Sequence, residues 1–152
     1  MLEQRGVRYC VIGGQAVNAY VEPLVSLDLD LVVAAEELGS VEAALGERFK
    51  VERFAHSVKA SMSGSLLRVQ IQTDPRYESF LERASGRQVL GVCLPVAAIE
   101  DVLQGKIWAA QDPERRASKR RKDLLDIERI VESRPDLRSR VPEAVLGRLG
   151  EL

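Results

Sequence analysis

The stretch "VIGGQAVNAYVEPLVSLDLDLVV", residues 11–33, decides the fold of this chain. A double glycine, Gly13 and Gly14, ends one apolar run, and Asp28 and Asp30 stand inside the next run. Because the side chains of a strand alternate between its two faces, the two aspartates point to the same side. Two like charges on one side of an otherwise apolar strand need a physical reason.

The order of elements in this stretch is predicted as strand, glycine turn, helix and strand. Residues 7–12 are rich in strand-forming residues and end at the glycines, which is typical of a strand. Residues 15–20 suit a short helix that stops before Pro23. In residues 26–33, leucines alternate with polar residues at period two, which predicts the second strand.

The rest of the chain continues with strands and then changes to helices. The patterns predict a helix, a hairpin, a strand, a short helix and a further strand, at 34–49, 51–54 with 57–62, 66–73, 76–84 and 87–94. Three helices follow, at 96–111 with Pro95 in the first turn, at 112–134 and at 142–149. We therefore expect an α+β fold, a mixed β-sheet flanked by helices with a helical C-terminal part.

Length and composition indicate one globular unit. The chain has 152 residues, 45% of them hydrophobic and 30% charged, with a net charge of -1. We expect a core of residues 1–94 and a helical extension of residues 95–152 packed on it. No apolar run reaches the roughly 18 residues of a membrane span, and the start does not resemble a signal peptide. Cytoplasmic location and reduced, buried thiols at Cys10 and Cys93 are the expectations.

The glycines and aspartates together indicate phosphate chemistry. Glycines at a strand-to-helix turn let backbone N–H groups approach an anion, and the helix dipole adds to the attraction. Two adjacent carboxylates repel one another unless they share a cation, and oxygen ligands favour Mg²⁺ or Mn²⁺. Such ions commonly bind through one or two carboxylates together with substrate phosphates. The motif therefore predicts a nucleotide site, although two solubilising aspartates on an edge strand would look the same.

The spacing of these residues resembles the signature of the polymerase-beta-type nucleotidyltransferase superfamily. Its minimal nucleotidyltransferases and the AbiEii-type toxin–antitoxin proteins are the most similar in appearance. The resemblance continues with Lys106 on a helix, followed by "KRRKDLLDIERI" at residues 119–130. It thus covers the chain from about residue 7 to residue 130.

The resemblance implies a role for each matching residue. Gly13 and Gly14 would hold the nucleoside triphosphate through the backbone, and Asp28 and Asp30 would ligate Mg²⁺ or Mn²⁺. It implies transfer of a nucleoside monophosphate (NMP) from a nucleoside triphosphate (NTP) to a hydroxyl. The acceptor would be an RNA such as tRNA, or a partner toxin or antitoxin protein. The sequence leaves the oligomeric state open.

The sequence departs from the family pattern at the third carboxylate. The strand that should carry it has Gln70 or Gln72 at the expected place, and an amide can neither supply charge nor act as a base. Asp74 lies on the same face, but roughly 7–14 Å of strand rise separates it from them. Leu24 stands where relatives often have an arginine. A catalytically impaired binding or antitoxin module is therefore the alternative to an active enzyme.

Basic residues supply the remaining candidates. Residues 114–122 hold six basic side chains and one acidic one. Lys106 and Lys122 are candidate ligands of the triphosphate, since an ammonium is a compact phosphate ligand. Arg115 and Lys119 could extend them into a basic wall for RNA phosphates. A solvated helix face with internal ion pairs is one structural alternative, and a tie of this helix to the core through Lys122, Asp123 and Asp126 is another.

Two further residues are expected to be structural. His56 is the only histidine and has no ligand spacing around it, so a local hydrogen bond is expected. Trp108 falls at helical spacing and is expected in the core.

Overall fold

The computed structural model describes residues 1–150 and is built on one seven-stranded mixed sheet. The strands are β1 Tyr9–Ile12, β2 Asp28–Val33, β3 Lys50–Arg53, β4 Ser57–Ser61, β5 Arg68–Gln72, β6 Ser85–Val89 and β7 Val92–Val96. Their order across the sheet is β3-β4-β5-β2-β1-β7-β6. The expected α+β fold with a mixed sheet is confirmed.

Five α-helices flank the sheet within the described residues, and the last three form the expected helical C-terminal part. The five helices are α1 Gly13–Tyr20, α2 Leu38–Gly46, α3 Ile99–Gln111, α4 Ala117–Ser133 and α5 Glu143–Leu146, with short 3-10 segments between some of them. One core cluster joins α1, α3 and α4 to the central strands, and a second joins α2 to β4 and β5. Within residues 1–150 no helix combines the length and apolar character that crossing a membrane requires.

The strand register aligns four residues in one row across the sheet. β1 and β2 are antiparallel with Ile12 opposite Asp30, and β2 and β5 are parallel with Asp30 opposite Gln70. β4 and β5 are antiparallel with Lys59 opposite Gln70. Paired residues on neighbouring strands share a face, so Asp30, Gln70 and Lys59 follow one another on the same side.

The segment around Pro95 differs from its prediction. The single strand expected at 87–94 is a hairpin of β6 and β7, which turns at Leu90 and Gly91 with φ of 51° and 80°. Pro95 lies inside β7, and α3 begins only at Ile99. Residue 94, the expected boundary between the two parts of the chain, lies inside β7, which pairs with β1. The division of the chain at this residue stays a prediction.

Two smaller expectations also need correction. The helix expected at 76–84 is a 3-10 segment, Pro75–Arg83. Cys10 is buried, but Cys93 on the outer hairpin is exposed, so only one of the two thiols is sheltered.

Candidate functional site

A cleft lies where the sheet meets α3 and the start of α4. Its sheet side is lined by Gly13, Asp30 and Gln70, which belong to three neighbouring elements. Its helix side is lined by Lys106 of α3 and by Arg115, which precedes α4. The fold therefore brings together the glycine turn, one aspartate of the pair and the predicted position of the third carboxylate.

The glycine turn and Asp30 are fitted to each other. Gly13 is the first residue of α1 and has a φ of 69°, which strains any residue with a side chain. A Cβ at this position would stand 2.3 Å from Asp30 Oδ2, so the carboxylate packs directly against the glycine backbone. Ile12 provides no side-chain cap for α1, so the first N–H groups of this helix have no capping partner. They are suited to bind an anion.

Asp30 is a carboxyl group with a raised pKa. Burial raises its pKa from 3.8 to about 6, and the neighbouring charge of Asp28 adds to this rise. Lys106, Arg115 and Lys119 act in the opposite direction without cancelling it. Asp30 therefore lacks full compensation for its negative charge, which is the situation in which a carboxylate attracts a cation.

Asp28 stands two residues earlier on the same face but has a different environment. Its Oδ1 lies 2.9 Å from Arg68 Nε, and Arg68 is the residue opposite it on β5. The side chain of Arg68 is 62% exposed. The ion pair is therefore open to solvent, and a competing cation or anion can exchange with either partner.

Gln70, and not Asp74, stands next to the aspartate pair. Gln70 is in register with Asp30 and lines the cleft beside it. Asp74 lies beyond the end of β5, where its Oδ1 accepts a hydrogen bond from the backbone of Arg76 at 2.9 Å. Its Oδ2 accepts a second bond from the guanidinium, also at 2.9 Å. Asp74 is thereby committed to capping the following 3-10 segment.

The donor set fits one divalent cation. In the part of the chain that the structure describes, no three histidine, cysteine or acidic side chains form a metal-binding group. Two carboxylates on one strand face, with a neutral amide beside them, match the way Mg²⁺ is held jointly by protein and substrate phosphates. A second, equally charged metal position would need a third carboxylate, and residue 70 does not supply it.

Lys106 is buried in an ion-pair network on the helix side of the cleft. Its Nζ lies 2.8 Å from Asp126 Oδ2 and 3.2 Å from Asp123 Oδ1, and the lysine side chain is 9% exposed. Burial alone would lower the pKa of Lys106, but the two aspartates raise it above the usual value. Arg115 also holds Asp123, at 2.6 Å. Asp123 and Asp126 thus tie α4 to α3 through Lys106, whereas Lys122, which was expected in the same tie, is exposed. The role of Lys106 as a nucleotide ligand stays a prediction.

The same network holds the loop between α1 and β2. Arg129 pairs with Asp126 at 2.8 Å and donates to Asn18 Oδ1 and to the carbonyl of Glu22. Asn18 in turn binds the backbone of Leu24 from both sides, as donor to its carbonyl and acceptor from its amide. Leu24 thus lies in a clasped loop, with its side chain 48% exposed.

The structure separates the other basic candidates. Lys119 lies in a second groove with Asp28 and Gln70, whereas Lys122 is exposed on α4 and is not among the residues that line the cleft. A role for Lys122 in nucleotide binding stays a prediction. Arg115 precedes α4, so it does not continue the helix face that the sequence predicted for it.

An aromatic cluster closes one end of the cleft. Trp108 is partly exposed and stacks on Phe80 with ring centroids 5.9 Å apart, and Tyr77 contacts both rings edge-on. The guanidinium of Arg76 lies 4.5 Å from the Trp108 ring. Trp108 is therefore a packing residue at the rim. His56 borders the adjoining groove, and its ring makes no side-chain hydrogen bond among the described residues.

Sequence reasoning missed several residues that line the cleft. Tyr77 and Asp101 belong to it, and Asp101 is bound bidentately by Arg83 at 2.7 and 3.0 Å. The sequence predicted that Asp101 lies on this helix, and the later start of α3 at Ile99 places it in the first turn. Its approach to the glycine turn could not be predicted, because it depends on how α3 packs.

The fold is that of nucleotidyltransferases. No protein-family model and no curated protein sequence matches the chain. The lincosamide antibiotic adenylyltransferase LnuA, bound to lincomycin, superposes with a TM-score of 0.57 at 13% identity, over 85% of this chain and 90% of that chain. ANT(2″)-Ia in complex with adenylyl-2″-tobramycin gives 0.55 at 18% identity, over 91% of both chains.

A fungal protein extends the same likeness. An antigenic nucleotidyltransferase-like protein from Paracoccidioides brasiliensis gives a TM-score of 0.52 at 19% identity, over 96% of this chain and 91% of that chain. At these identities the likeness establishes the architecture and confirms the expected nucleotidyltransferase fold.

Proposed function

We propose that this protein binds a nucleoside triphosphate in the cleft and transfers its nucleoside monophosphate to a hydroxyl group. The observation that carries the proposal is the contact between Asp30 and Gly13 at the start of α1. This contact puts an under-compensated carboxylate beside uncapped helix N–H groups, so a cation and a phosphate would meet there. The fold shared with adenylyltransferases supports the same chemistry.

Each residue of the site has a role in this reaction. The backbone at Gly13 and Gly14 would bind triphosphate oxygens, and Asp28 and Asp30 would hold Mg²⁺ or Mn²⁺. When bound, the cation supplies charge neutralisation at the phosphate oxygens. The acceptor oxygen forms a bond to the α-phosphorus while the bond to pyrophosphate breaks, and the acceptor proton leaves to solvent. Gln70 can orient the hydroxyl by a hydrogen bond but cannot take its proton.

The acceptor that we propose is a hydroxyl on RNA, such as tRNA, or on a partner protein. The resemblance to minimal nucleotidyltransferases and AbiEii-type proteins supports a toxin–antitoxin setting for this transfer. The two antibiotic adenylyltransferases of the same fold were seen with lincomycin and with adenylyl-2″-tobramycin, which are small molecules. Small hydroxyl compounds therefore belong in the same acceptor screen.

A second function is favoured by one specific observation. Gln70 occupies the position next to Asp30 where the family resemblance requires a third carboxylate. Without that charge, the site could bind a nucleotide and act as a recognition or antitoxin module without turnover. Nucleotide binding with no transfer to any acceptor, at any divalent cation, would establish this alternative.

The test is a transfer assay with α-³²P-labelled nucleotides. Each of the four NTPs is incubated with bulk tRNA, candidate partner proteins and small hydroxyl compounds, with Mg²⁺ or Mn²⁺. Asp30→Ala should abolish both labelling and cation-dependent nucleotide binding. Asp136→Asn is the control, because Asp136 is exposed and pairs with Arg134 instead of lining the cleft. Undiminished labelling by Asp30→Ala would reject the assignment of the site.

A further inference from the structure

A second groove adjoins the cleft on the far side of Gln70. It is bordered by β4, β5 and the first turn of α4. Asp28 and Gln70 form its near wall, so it shares the aspartate strand and the central glutamine with the nucleotide site. A molecule in this groove would lie beside the phosphate to be attacked.

Three cations line this groove. Lys59 is the residue opposite Gln70, Arg68 is the residue opposite Asp28, and Lys119 reaches it from α4. Within residues 1–150 neither lysine forms an ion pair, whereas the groove's other acid, Glu52, pairs with Lys50 at 3.7 Å. Although Glu52 lies opposite Lys59 on β3 and Asp28 lines the same groove, the three cations outnumber the two carboxylates.

The closeness of these cations affects the pKa of Lys119. The pKa of Lys119 is lowered, first by burial and then by the positive charges of Lys59 and Arg115. Side chains that repel one another in the free protein gain from a shared anion. Arg68 is able to take part because its pair with Asp28 is solvent-exposed, and a cation on Asp28 would free the guanidinium.

Two features favour a nucleic acid over a small anion. Further basic residues flank Lys119 in the chain, at Arg116 before α4 and at Arg120, Arg121 and Lys122 on α4. Phe54, 47% exposed, lies at the groove with Lys59 Nζ 4.8 Å from its ring centroid. Successive phosphates can follow the cations while a base stacks on the aromatic ring, which is how single-stranded nucleic acids are bound.

We infer that Lys59, Arg68 and Lys119 form a phosphate-binding site that holds the backbone of an RNA acceptor beside Gln70. This inference rests on the proposed function for the location of the reacting nucleotide. It adds that the acceptor is a polyanion, entering from the β4–β5 side of the sheet.

The inference is tested by RNA binding in the absence of nucleotide. The probe is a fluorescein-labelled single-stranded RNA of about 12 nucleotides, titrated at several salt concentrations and followed by anisotropy. The double variant Lys59→Gln/Lys119→Gln should weaken binding about tenfold or more at low salt. Its slope of log affinity against log salt should fall by about 1.4, because each lost phosphate contact removes about 0.7.

A matched control separates this site from general charge effects. Arg138→Gln removes one exposed cation beyond the far end of α4 and should leave both affinity and slope unchanged. An RNA affinity that falls equally in Arg138→Gln and in the single variant Lys59→Gln would overturn the inference. An unchanged slope of log affinity against log salt in the double variant would also overturn it.

The outcome is distinguishable from failure of the proposed function. Nucleotide binding is measured in parallel with a fluorescent NTP analogue and Mg²⁺. If the RNA responds to the two lysines but no nucleotide binds, the phosphate site stands and the transferase proposal fails. If label is transferred to a protein or small molecule at a rate that the lysine variants do not alter, the transferase stands and the RNA inference is wrong.

Discussion

Gln70→Glu tests most directly whether residue 70 is the position of a third carboxylate. Glutamate has the size and shape of glutamine, so the variant adds a charge without altering the packing. The new carboxylate would stand in register with Asp30 on β2 and with Lys59 on β4. It would complete a set of three carboxylates with Asp28 and Asp30.

The effect on stability can be worked from the strand spacing. At about 5 Å separation and an effective dielectric constant of about 20, repulsion between the introduced carboxylate and Asp30 amounts to about 3 kcal/mol, and attraction to Lys59 offsets a similar amount. The diagonal neighbour Asp28, at about 7 Å, adds about 2 kcal/mol of repulsion, and Arg68, two residues away on the same face of β5, offsets a similar amount. The metal-free variant should therefore keep nearly the stability of the natural protein, and Mg²⁺ should stabilise it more than it stabilises the natural protein.

The effect on transfer follows from the missing base and the missing charge. A carboxylate at residue 70 can accept the proton of the acceptor hydroxyl, and positioned bases of this kind contribute about 10²–10⁴-fold. Transfer by Gln70→Glu should exceed that of the natural protein by a factor in this range. The assay is the initial rate of label incorporation, with urea unfolding measured with and without Mg²⁺ in parallel.

Gln72→Glu is the matched control for this prediction. It adds the same charge to the same strand, but opposite Val32 instead of Asp30. It should gain neither the Mg²⁺-dependent stability nor the rate. A folded Gln70→Glu protein that shows no Mg²⁺-dependent stabilisation and no faster transfer would refute the assignment of residue 70 as the third carboxylate position. Equal gains in both variants would refute its specificity.

Three other perturbations test the remaining parts of the site. Asp30 has a folded-state pKa of about 6 against about 3.9 unfolded, so its contribution to stability is present below pH 4 and is lost as the pH rises through 6. Asp30→Asn should therefore be more stable than the natural protein by up to about 3 kcal/mol at pH 8 and no more stable at pH 4, in urea unfolding with a chelator. Lys106→Met should destabilise the fold by about 3 kcal/mol, because Asp123 and Asp126 each lose a buried partner. Retained stability together with weakened nucleotide binding would instead make Lys106 a ligand of the nucleotide. Gly13→Ala should lower the free energy of unfolding by at least about 1–2 kcal/mol and remove NTP binding in calorimetry, because of the positive φ and the overlap with Asp30.

The central strands were predictable because their chemistry is local. The alternation in residues 26–33 and the glycines after residues 7–12 depend only on near neighbours in the chain. The rise of the strand predicted that Asp74 lies too far from residue 70 to replace a carboxylate there. In the structure Asp74 instead caps the 3-10 segment. The pairing of Asp30 with Gln70 could be expected only because the family resemblance implied the fold.

The rest could not be predicted because it depends on contacts distant in sequence. The turn of the β6–β7 hairpin includes Leu90 at positive φ, which an apolar side chain rarely adopts, so the turn looked like the middle of a strand. Lys106 was a candidate phosphate ligand by sequence, and its buried ion pairs could not be predicted because its two carboxylate partners lie on another helix. The groove at Lys59 could not be predicted for the same reason, because Lys59 comes next to Gln70 only when β4 pairs with β5 in the sheet.

The charges around β2 compensate its two aspartates to different degrees. Arg68 compensates Asp28, while Asp30 is stabilised from a distance by Lys106, whose own charge is balanced by Asp123 and Asp126. The buried network is tightly paired and fixes the geometry, whereas the exposed pair between Arg68 and Asp28 can exchange partners. A cation on Asp28 and a phosphate on Arg68 satisfy both residues at once. If both proposals hold, binding of either one would lower the cost of binding the other, which by linkage would make the proposed nucleotide site and the proposed phosphate groove cooperative.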